Sequence, residues 1–296
     1  EIIPGVKVFH EMPGFLSRVP FPELITFDEY GLFNDSSLNK RILDSIDVNE
    51  VGESNIAKLK KFIRYELLEF INDKSPYNRN DLDSENEFDK LILLPLQVTE
   101  QYAFLSDCRY KSQYDLLLDV IRQIPQNIGV VVTQYNTGST SEEVINKQNF
   151  DLYKQIYPNL IWHEGFSKLD HISQYLLSVV DAVVTVSSSI GLQALLWDKP
   201  LISLGNNYLK DVADYISVSD YLEGNSSGVD ALYKDKFLSW MLGYQQPLAI
   251  ELLKNKDFLN GLIDSKNNPE PVSFFDIHPD YYNAFVTASK ADVALQ

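Results

Sequence analysis

The chain of 296 residues is long enough to bury a sizeable core and to form one large domain or two of ordinary size. Its hydrophobic fraction of 45% and charged fraction of 23% are ordinary for a globular protein, which excludes a disordered or fibrous chain. The formal net charge of -17 argues against nonspecific binding of nucleic acid, because phosphate neutralisation depends on clustered lysine and arginine, although backbone amides at a helix N-terminus can still hold a local anion.

The N-terminal region combines two short strands with one helix. Residues 6–9 and 24–27 are apolar runs typical of strands, and proline and glycine punctuate the sequence between them. Between residues 53 and 72, apolar side chains recur every three or four positions, which predicts an amphipathic helix. The acidic stretch at 72–87 has no such periodicity, and we interpret it as a hinge that ends an N-terminal lobe spanning residues 1–88.

From residue 90 onward, short apolar runs alternate with helical patterns, which is typical of β-α-β units with a parallel sheet. The predicted strands are at 91–96, 128–133, 160–162, 182–186 and 201–204. The predicted helices lie near 113–124, 142–156, 170–179 and 190–197. The predicted fold class is therefore α/β, with a doubly wound, Rossmann-like lobe over residues 89–210.

The remaining region, residues 211–296, is predicted to be mainly helical and to pack across the lobes. Helical patterns are clearest at 237–244 and 250–263. The residues that follow, which include Pro269 and Pro271, are predicted to form a tail.

The most informative stretch joins a buried strand directly to a helix. The fourth apolar run is followed by Ser187, Ser188 and Ser189, and Gly191 lies in the helix that comes next. In open α/β sheets, ligands bind at the carboxyl ends of the strands, and a helix N-terminus there favours a phosphate. We therefore predict a nucleotide-binding group made of these four residues and Gln97, which lies in the loop after the first strand. The alternative is that the serines only cap the helix.

Five segments of the sequence form an ordered set of motifs between residues 10 and 210. The main one runs from Val184 to Leu196 and continues through Lys199-Pro200 to Gly205 and Tyr208. The others are Gly14-Phe15-Leu16-Ser17-Arg18, Ile25-Thr26-Phe27-Asp28-Glu29-Tyr30-Gly31-Leu32-Phe33-Asn34-Asp35, Ser75-Pro76-Tyr77-Asn78 and Leu93-Leu94-Pro95-Leu96-Gln97-Val98-Thr99-Glu100-Gln101. Together they resemble the bacterial capsule polysaccharide biosynthesis family, which includes the β-Kdo transferases of capsule and O-antigen assembly.

The resemblance implies a glycosyltransferase of two Rossmann-like lobes, in the GT-B-like arrangement. It implies transfer of Kdo or a similar acidic sugar from a nucleotide-activated donor, with CMP as the expected nucleotide, to a growing surface glycan. The partners would be the donor and a glycan or glycolipid acceptor. Residues 1–88, which need not be a complete lobe, would then face the acceptor.

The sequence departs from the family pattern in four places. Gln193 stands where glutamate is usual, Ser17-Arg18 inverts the usual order, Gln101 occupies a position that is often acidic, and Thr133-Gln134-Tyr135-Asn136 replaces a common Lys-x-His-Pro. These departures leave two other hypotheses open. The chain could be a degenerate homologue that binds a glycan or nucleotide without turnover, or a nucleotide-sugar epimerase with similar lobes.

Glycosyl transfer requires carboxylates that activate the acceptor or stabilise an oxocarbenium-like centre, and an anion site near the sugar. The catalytic candidates are Glu100, Glu11 and Asp28, and Glu100 ranks first because it follows the end of a predicted strand. Arg18 is the candidate for the substrate anion. Asp35, His163 and Gln193 are secondary candidates. The alternative for each carboxylate is an ordinary surface acid, and the alternative for His163 is a structural histidine.

Cofactor and metal sites have little support in the sequence. The single cysteine excludes an internal disulfide and a cysteine-based zinc cluster, and no two histidines have metal-ligand spacing. Neither Gly-x-Gly-x-x-Gly nor a P-loop is present. We therefore predict no metal and no cofactor besides the donor. No apolar run approaches the length of a membrane span, and a single cysteine fits a reducing compartment. We therefore expect a cytoplasmic protein that can also associate with the inner face of the membrane through its acceptor or partners.

Overall fold

The computed structural model describes residues 8–16, 18–40, 50–75, 77–135, 142–267 and 272–294. The chain forms two compact units, one made of residues 1–62 and 230–296 and the other of residues 63–229. The predicted boundaries at 88 and 210 both fall inside the second unit. The predicted hinge at 72–87 therefore belongs to that unit and does not separate two lobes.

Unit 1, the unit with both chain ends, begins with an antiparallel pair of strands, β1 (His10–Pro13) and β2 (Ile25–Asp28). A 3-10 turn at Phe33–Asp35 and the helices α1 (Ser37–Lys40) and α2 (Glu50–Lys61) follow. The first strand begins after the predicted run 6–9, of which residues 6 and 7 lie outside the described residues. The second strand is confirmed within one residue. The segment predicted as one helix at 53–72 is helical but divided, because α2 ends at Lys61 and a π-helical turn and a second helix, Leu68–Lys74, follow it.

A π-helical turn at Phe62–Glu66 begins at the last residue of this part of unit 1 and runs into unit 2, which continues with the helices α3 (Leu68–Lys74) and α4 (Arg79–Leu82). Its strands are β3 (Lys90–Pro95), β4 (Ile128–Thr133), β5 (Leu160–Ile161), β6 (Ala182–Thr185) and β7 (Leu201–Ser203). Its other helices are α5 (Tyr102–Asp107), α6 (Gln113–Gln123), α7 (Phe150–Ile156), α8 (Ile172–Leu176), α9 (Ser189–Leu196), α10 (Leu209–Val212) and α11 (Val218–Glu223), with a 3-10 turn at Glu164–Lys168.

The five strands of unit 2 form one parallel sheet in the order β5-β4-β3-β6-β7. Every residue of β4, β5, β6 and β7 is buried, which explains why these strands are continuous apolar runs. The α/β fold class and all five predicted strands are confirmed. The order matches five of the six strands of a Rossmann fold, in which the chain moves outward from a central first strand first in one direction and then in the other.

Two predicted features of unit 2 differ in the structure. The helix expected at 142–156 begins only at Phe150, because Asn146 and Asn149 accept hydrogen bonds from nearby backbone N–H groups and form turns instead. The predicted hinge contains α4, which begins with a reciprocal capping box between Asn78 and Asp81. Both differences arise from local side-chain hydrogen bonds, which cannot be predicted from the spacing of apolar residues.

The C-terminal region contains α12 (Ala231–Trp240), a π-helical turn at Met241–Gln245, α13 (Ala249–Lys254), α14 (Lys256–Asn267), α15 (Phe274–Ile277) and α16 (Tyr281–Ala294). Both predicted segments are helical, although 237–244 ends in the π-helical turn and 250–263 is divided at Asn255 between α13 and α14. The predicted tail is helical wherever it is described except for short connections. Residues 268–271, with Pro269 and Pro271, lie outside the described residues. No helix among the described residues is long and apolar enough to cross a membrane.

The C-terminal helices belong to unit 1 because they pair with its N-terminal segments. Leu24 forms an antiparallel bridge with Leu248, and Lys60 forms an ion pair with Asp235. Within its described residues, unit 1 contains the antiparallel pair β1–β2 and no parallel sheet. This differs from the second Rossmann-like lobe that the resemblance implies.

Candidate functional site

The carboxyl edge of the parallel sheet in unit 2 has one topological switch point, between β3 and β6. Strands β4 and β5 lie on one side of this point, and β7 lies on the other. Loops that follow β3 and β6 therefore leave the sheet in opposite directions and open a crevice between them. This crevice is where an open α/β sheet binds its ligand, so the residues directly after β3 and β6 form the candidate site.

A side-chain hydrogen bond joins the two sides of the switch point. The Gln97 Oε1 atom accepts the backbone N–H of Ser187 at 3.3 Å and the Ser187 hydroxyl at 3.2 Å. The loop after β7 is joined to the same place, because Asn207 Nδ2 donates to the carbonyl oxygen of Val186 at 3.0 Å. A Cβ atom on Gly205 would lie 2.3 Å from that carbonyl, so only glycine permits this approach. Three loops are thus held together at one edge.

The other two serines of the predicted nucleotide-binding group have different environments. Ser188 is the N-cap of α9, since its hydroxyl accepts the backbone N–H of Ile190 at 3.3 Å, and its own N–H donates to Thr185 Oγ1 at 3.1 Å. Ser189 is the first residue of α9 and is exposed. No hydrogen bond to the Ser189 hydroxyl or backbone N–H occurs within the described part of the chain. The serines therefore cap the helix and also leave a donor at its N-terminus.

Gly191 does not line the edge of the sheet. The residue is buried in α9, and a Cβ atom there would lie 3.0 Å from Thr185 Cγ2, 3.2 Å from Leu201 Cδ1 and 3.3 Å from Leu209 Cδ1. The glycine lets α9 pack closely against β6 and β7, which is a packing role. The predicted contact of Gly191 with a phosphate is corrected accordingly. Gln193, two residues further along α9, is also buried, with 4% of its surface exposed.

The turn after β3 is fixed by side chains from elsewhere in unit 2. Gln97 N–H donates to Gln113 Oε1 at 2.8 Å, and Thr99 N–H donates to Glu142 Oε2 at 2.9 Å. Thr99 Oγ1 in turn accepts the N–H of Gln113 at 3.1 Å. The same turn exposes Glu100, so the first-ranked catalytic candidate is accessible and lies at the predicted edge of the sheet.

His163 follows β5, two strands away from Gln97 in the sheet. Its ring lies 5.2 Å from the ring of Tyr77 and 5.3 Å from that of Phe166, measured between centroids. Burial lowers the pKa of His163, and the nearby Asp81 opposes this shift. His163 is thus a half-buried, neutral imidazole within an aromatic cluster. This environment fits a structural histidine, the alternative to a ligand-binding one. His163 is not brought to the switch point.

The candidates from the N-terminal region lie in unit 1. Glu11, in β1, is exposed and pairs in register with Phe27. Arg18 and Asp35 are also exposed, whereas Ser17 lies outside the described residues. The motif segments 14–18 and 25–35 therefore occur in one unit, but they present their charged residues in different surroundings.

Asp28 is completely buried at the end of β2. Its carboxylate accepts hydrogen bonds from the backbone N–H groups of Tyr30, Gly31 and Ser37, the hydroxyls of Ser36 and Ser37, and Gln245 Nε2. Burial by itself would raise the pKa of Asp28, but the hydrogen bonds outweigh it and hold the pKa below its usual value. A carboxylate that is inaccessible and saturated with donors fixes a loop. We therefore assign Asp28 a structural role in place of the predicted catalytic one.

Within the described residues, no group of three histidine, cysteine or acidic side chains is arranged to hold a metal ion. The polar atoms at the switch point are amides and hydroxyls, which suit a phosphate or a nucleoside better than a divalent cation.

The sequence matches the profile of a family described as "Capsule polysaccharide biosynthesis protein" over residues 52–210, which is more than half of the chain. The chain belongs to the capsule polysaccharide biosynthesis protein family. The matched segment contains β3 to β7 and every residue of the switch point. The resemblance found in the motifs is thereby confirmed.

Among solved structures, the chain is similar to the KpsC beta Kdo 2,7 transferase of Thermosulfurimonas dismutans, with a TM-score of 0.53 and 19% sequence identity. The match covers 81% of this chain and 70% of the transferase chain. At this level of identity, the similarity shows a shared fold. No curated protein matches the chain in sequence.

Two departures from the pattern of the capsule family have structural consequences. Gln101, where an acid is frequent, accepts a hydrogen bond from Gln97 Nε2 at 3.2 Å through its side-chain oxygen. Gln134 is buried and holds the loop at 144–145, because it accepts the N–H groups of Val144 and Ile145 and donates to the Ile145 carbonyl. Asn136 lies outside the described residues. Gln101 therefore has a structural partner where the family often has an acid, and Gln134 has structural partners at the variable position of the Lys-x-His-Pro motif.

Sequence reasoning missed two glutamines that organise the two units. Gln113 begins α6 after the N-cap Ser112, a position where a polar side chain is normally exposed, yet it is fully buried. Gln245 bonds to Asp28 from 217 residues further along the chain. No local sequence signal marks either residue. Gln113 is buried at a helix position that is normally exposed, and the partner of Gln245 lies far away in the sequence.

Proposed function

We propose that this member of the capsule family is a glycosyltransferase that binds a nucleotide-activated donor at the switch point between β3 and β6. The donor sugar would be Kdo or a similar acidic sugar, CMP would be its nucleotide, and the acceptor would be a growing surface glycan. A soluble donor and a glycolipid acceptor would meet at the inner face of the membrane. Family membership and the fold shared with a Kdo transferase support this assignment.

The observation that carries the proposal is the contact between Gln97 and Ser187. It brings the loop after β3 against the N-terminus of α9, where Ser189 offers an N–H group toward which the helix dipole attracts anions. Amide and hydroxyl groups of Gln97 and Ser187 could exchange their mutual hydrogen bonds for bonds to a base, a ribose or a phosphate. Such a site needs few basic side chains, which agrees with the acidic composition of the chain.

In this proposal, Glu100 supplies the catalytic carboxylate. The side chain is exposed in the turn that Gln97 begins, so a donor bound at the switch point would have this acid close to it. A carboxylate there would accept the proton of the attacking hydroxyl group of the acceptor. From the sequence motif alone, we keep Arg18 as the proposed partner for the acidic group of the sugar, and we propose that no metal or additional cofactor takes part.

A second candidate function is binding of a nucleotide or glycan without turnover. The hydrogen bond from Gln97 to Gln101 favours it, because an amide replaces the frequent acid and uses that position to hold the turn. Glu100 would then be the only acid in the segment 97–101. The two candidates predict the same ligand and differ in whether the donor is consumed.

The proposal is tested by adding CMP, UDP and GDP separately to the purified protein and measuring thermal unfolding. A nucleotide that binds the folded state raises the unfolding temperature by mass action, so CMP should stabilise the protein more than GDP. Incubation with CMP-Kdo and a glycolipid acceptor then separates the two candidates, since only a transferase releases CMP in step with glycan formation. Lack of stabilisation by all three nucleotides at millimolar concentration would reject the transferase and the nucleotide-binding form of the second candidate, and would leave only glycan binding.

A further inference from the structure

We propose that Gln113 is a positioning residue for the candidate site, where it sets the conformation of the turn at 97–99 that carries Gln97. The expected effect of Gln113 on ligand binding rests on the proposed function. Its effect on the conformation of the turn follows from the observed hydrogen bonds alone. Gln113 is absent from the motif set, and its role follows from its hydrogen bonds and burial.

Gln113 holds the turn at two points. Its Oε1 atom accepts the backbone N–H of Gln97 at 2.8 Å, and its own backbone N–H donates to Thr99 Oγ1 at 3.1 Å. The residue thus bridges the first helical position of α6 to both ends of a three-residue turn. Rotation of the Gln97 backbone would break the first bond, and movement of Thr99 would break the second.

The surroundings of the Gln113 amide point to its oxygen as the functional atom. None of the side chain is exposed, and no acceptor within the described residues lies in hydrogen-bonding range of Gln113 Nε2. A buried donor without a partner destabilises the folded state, and a methionine of similar size would avoid that cost. Gln113 nevertheless contributes an acceptor that methionine lacks, and this acceptor is directed to the residue that contacts Ser187.

The consequence for binding is transmitted through Gln97. Its backbone is held by Gln113, and its side-chain oxygen receives both hydrogen bonds from Ser187. Loss of the Gln113 acceptor would leave Gln97 N–H without its buried partner, so the turn would sample other conformations and the side chain would leave the switch point more often. A ligand that requires the held conformation would then bind more weakly.

The test compares Gln113→Met, Gln113→Glu and the control Asn159→Leu. Methionine removes the acceptor, whereas glutamate keeps an oxygen at the same place and is held neutral by burial. Asn159 is an equally buried amide at the opposite end of the sheet, where its Nδ2 donates to the Ile128 carbonyl at 3.0 Å. Hydrogen exchange of the Gln97 amide, affinity for CMP by calorimetry and thermal unfolding would be measured on each protein.

We expect Gln113→Met to speed exchange of the Gln97 amide and to weaken CMP binding by about tenfold. Gln113→Glu should restore both to within about twofold of the parent, a rescue that a general loss of packing would not give. Asn159→Leu should lower the unfolding temperature while leaving the Gln97 amide and CMP affinity unchanged. If Gln113→Met does not fold, Thr99→Val removes the other point of attachment and should speed the same exchange.

The inference is overturned if the Gln97 amide exchanges at the parent rate in Gln113→Met, or if Asn159→Leu weakens CMP binding as much as Gln113→Met does. It is also overturned if glutamate gives no rescue of exchange. Failure of the parent to bind CMP would count against the proposed function alone, because exchange of the Gln97 amide still reports whether Gln113 holds the turn.

Discussion

Ser187 donates both its backbone N–H and its hydroxyl to the same atom of Gln97, at 3.3 and 3.2 Å. One residue follows β6 and the other follows β3, and 90 positions separate them in sequence. The pair therefore joins the two loops between which an open α/β sheet binds its ligand. Predictions about binding, stability and turnover follow from this pair and its surroundings.

Replacing Gln97 with methionine should weaken CMP binding by about tenfold, because the variant keeps the size of the side chain but loses its hydrogen bonds. The unfolding temperature should change little, since the side chain is only partly buried. Calorimetric titration with CMP would measure the affinity. Gln123→Met, at the exposed C-terminus of α6, is the control and should bind CMP like the parent. Equal affinities for all three proteins would place the nucleotide elsewhere.

Gly191→Val should mainly destabilise the protein. The new methyl groups would press against Thr185, Leu201 and Leu209, and overpacking of this kind costs about 1–3 kcal/mol. Gly191→Ala should lose less, because one methyl group requires smaller shifts. Denaturant unfolding would give both values, and the CMP affinity of the folded variants should stay within about twofold of the parent. Weaker CMP binding with unchanged stability would instead support the contact between Gly191 and a phosphate that the sequence predicts.

Asp28→Asn should reduce stability at neutral pH and make it less sensitive to acid. Because the pKa of Asp28 is lowered in the folded state, its charged form contributes stability above the unfolded pKa of about 3.9, and that contribution disappears as the pH falls through the lower, folded-state value. Unfolding temperatures measured between pH 2 and pH 7 should therefore differ by a constant amount near neutral pH and approach each other below about pH 4. A constant difference across this range would contradict the assignment of a charged, structural Asp28.

Glu100→Gln should abolish transfer, by about a hundredfold or more, while CMP affinity stays close to that of the parent. The amide keeps the shape of the side chain but cannot take a proton from the acceptor. Release of CMP from CMP-Kdo in the presence of acceptor would measure turnover, and Glu85→Gln, an exposed acid that precedes β3, is the matched control. Should Glu100→Gln transfer sugar at the parent rate, Glu11 becomes the leading carboxylate.

The parallel sheet could be predicted because its strands are buried on both faces. A run such as 128–133 must then be apolar throughout, and the sequence shows that run without ambiguity. β1 is harder to predict, because it is a mostly exposed four-residue strand whose position depends on pairing with β2. Short exposed strands depend on tertiary contacts more than on their own residues.

The division into units could not be predicted because it depends on contacts between distant segments. The bridge from Leu24 to Leu248 and the ion pair from Lys60 to Asp235 attach the C-terminal helices to the N-terminal strands. Composition changes smoothly across residue 62, so the sequence offers no boundary there. The acidic stretch at 72–87 is instead ordered by the Asn78–Asp81 capping box, a signal that the sequence does contain.

The candidate site could be predicted in outline. The sequence places Gln97 and Ser187 directly after predicted strands, at the carboxyl edge of the sheet, and in the structure the two residues are in contact. The separate roles of Ser188 as a cap and Gly191 as a packing residue depend on backbone geometry that a strand-to-helix junction alone does not specify. Asp28 was misassigned because buried and exposed acids look alike in sequence.

The π-helical turn at Met241–Gln245 places consecutive glutamines on the N-terminal segments: Gln245 bonds to Asp28, and Gln246 Oε1 accepts the N–H of Phe15 at 2.9 Å, 231 residues earlier. A ribosome therefore synthesises all of residues 63–229 before either partner exists. Ribosome-bound chains stalled about 35 residues past position 229, so that unit 2 has left the exit tunnel and Gln245 has not, should protect the amides of the parallel sheet from exchange but not those of β1 and β2. Strands β1 and β2, although synthesised before the parallel sheet, would thus mature after it.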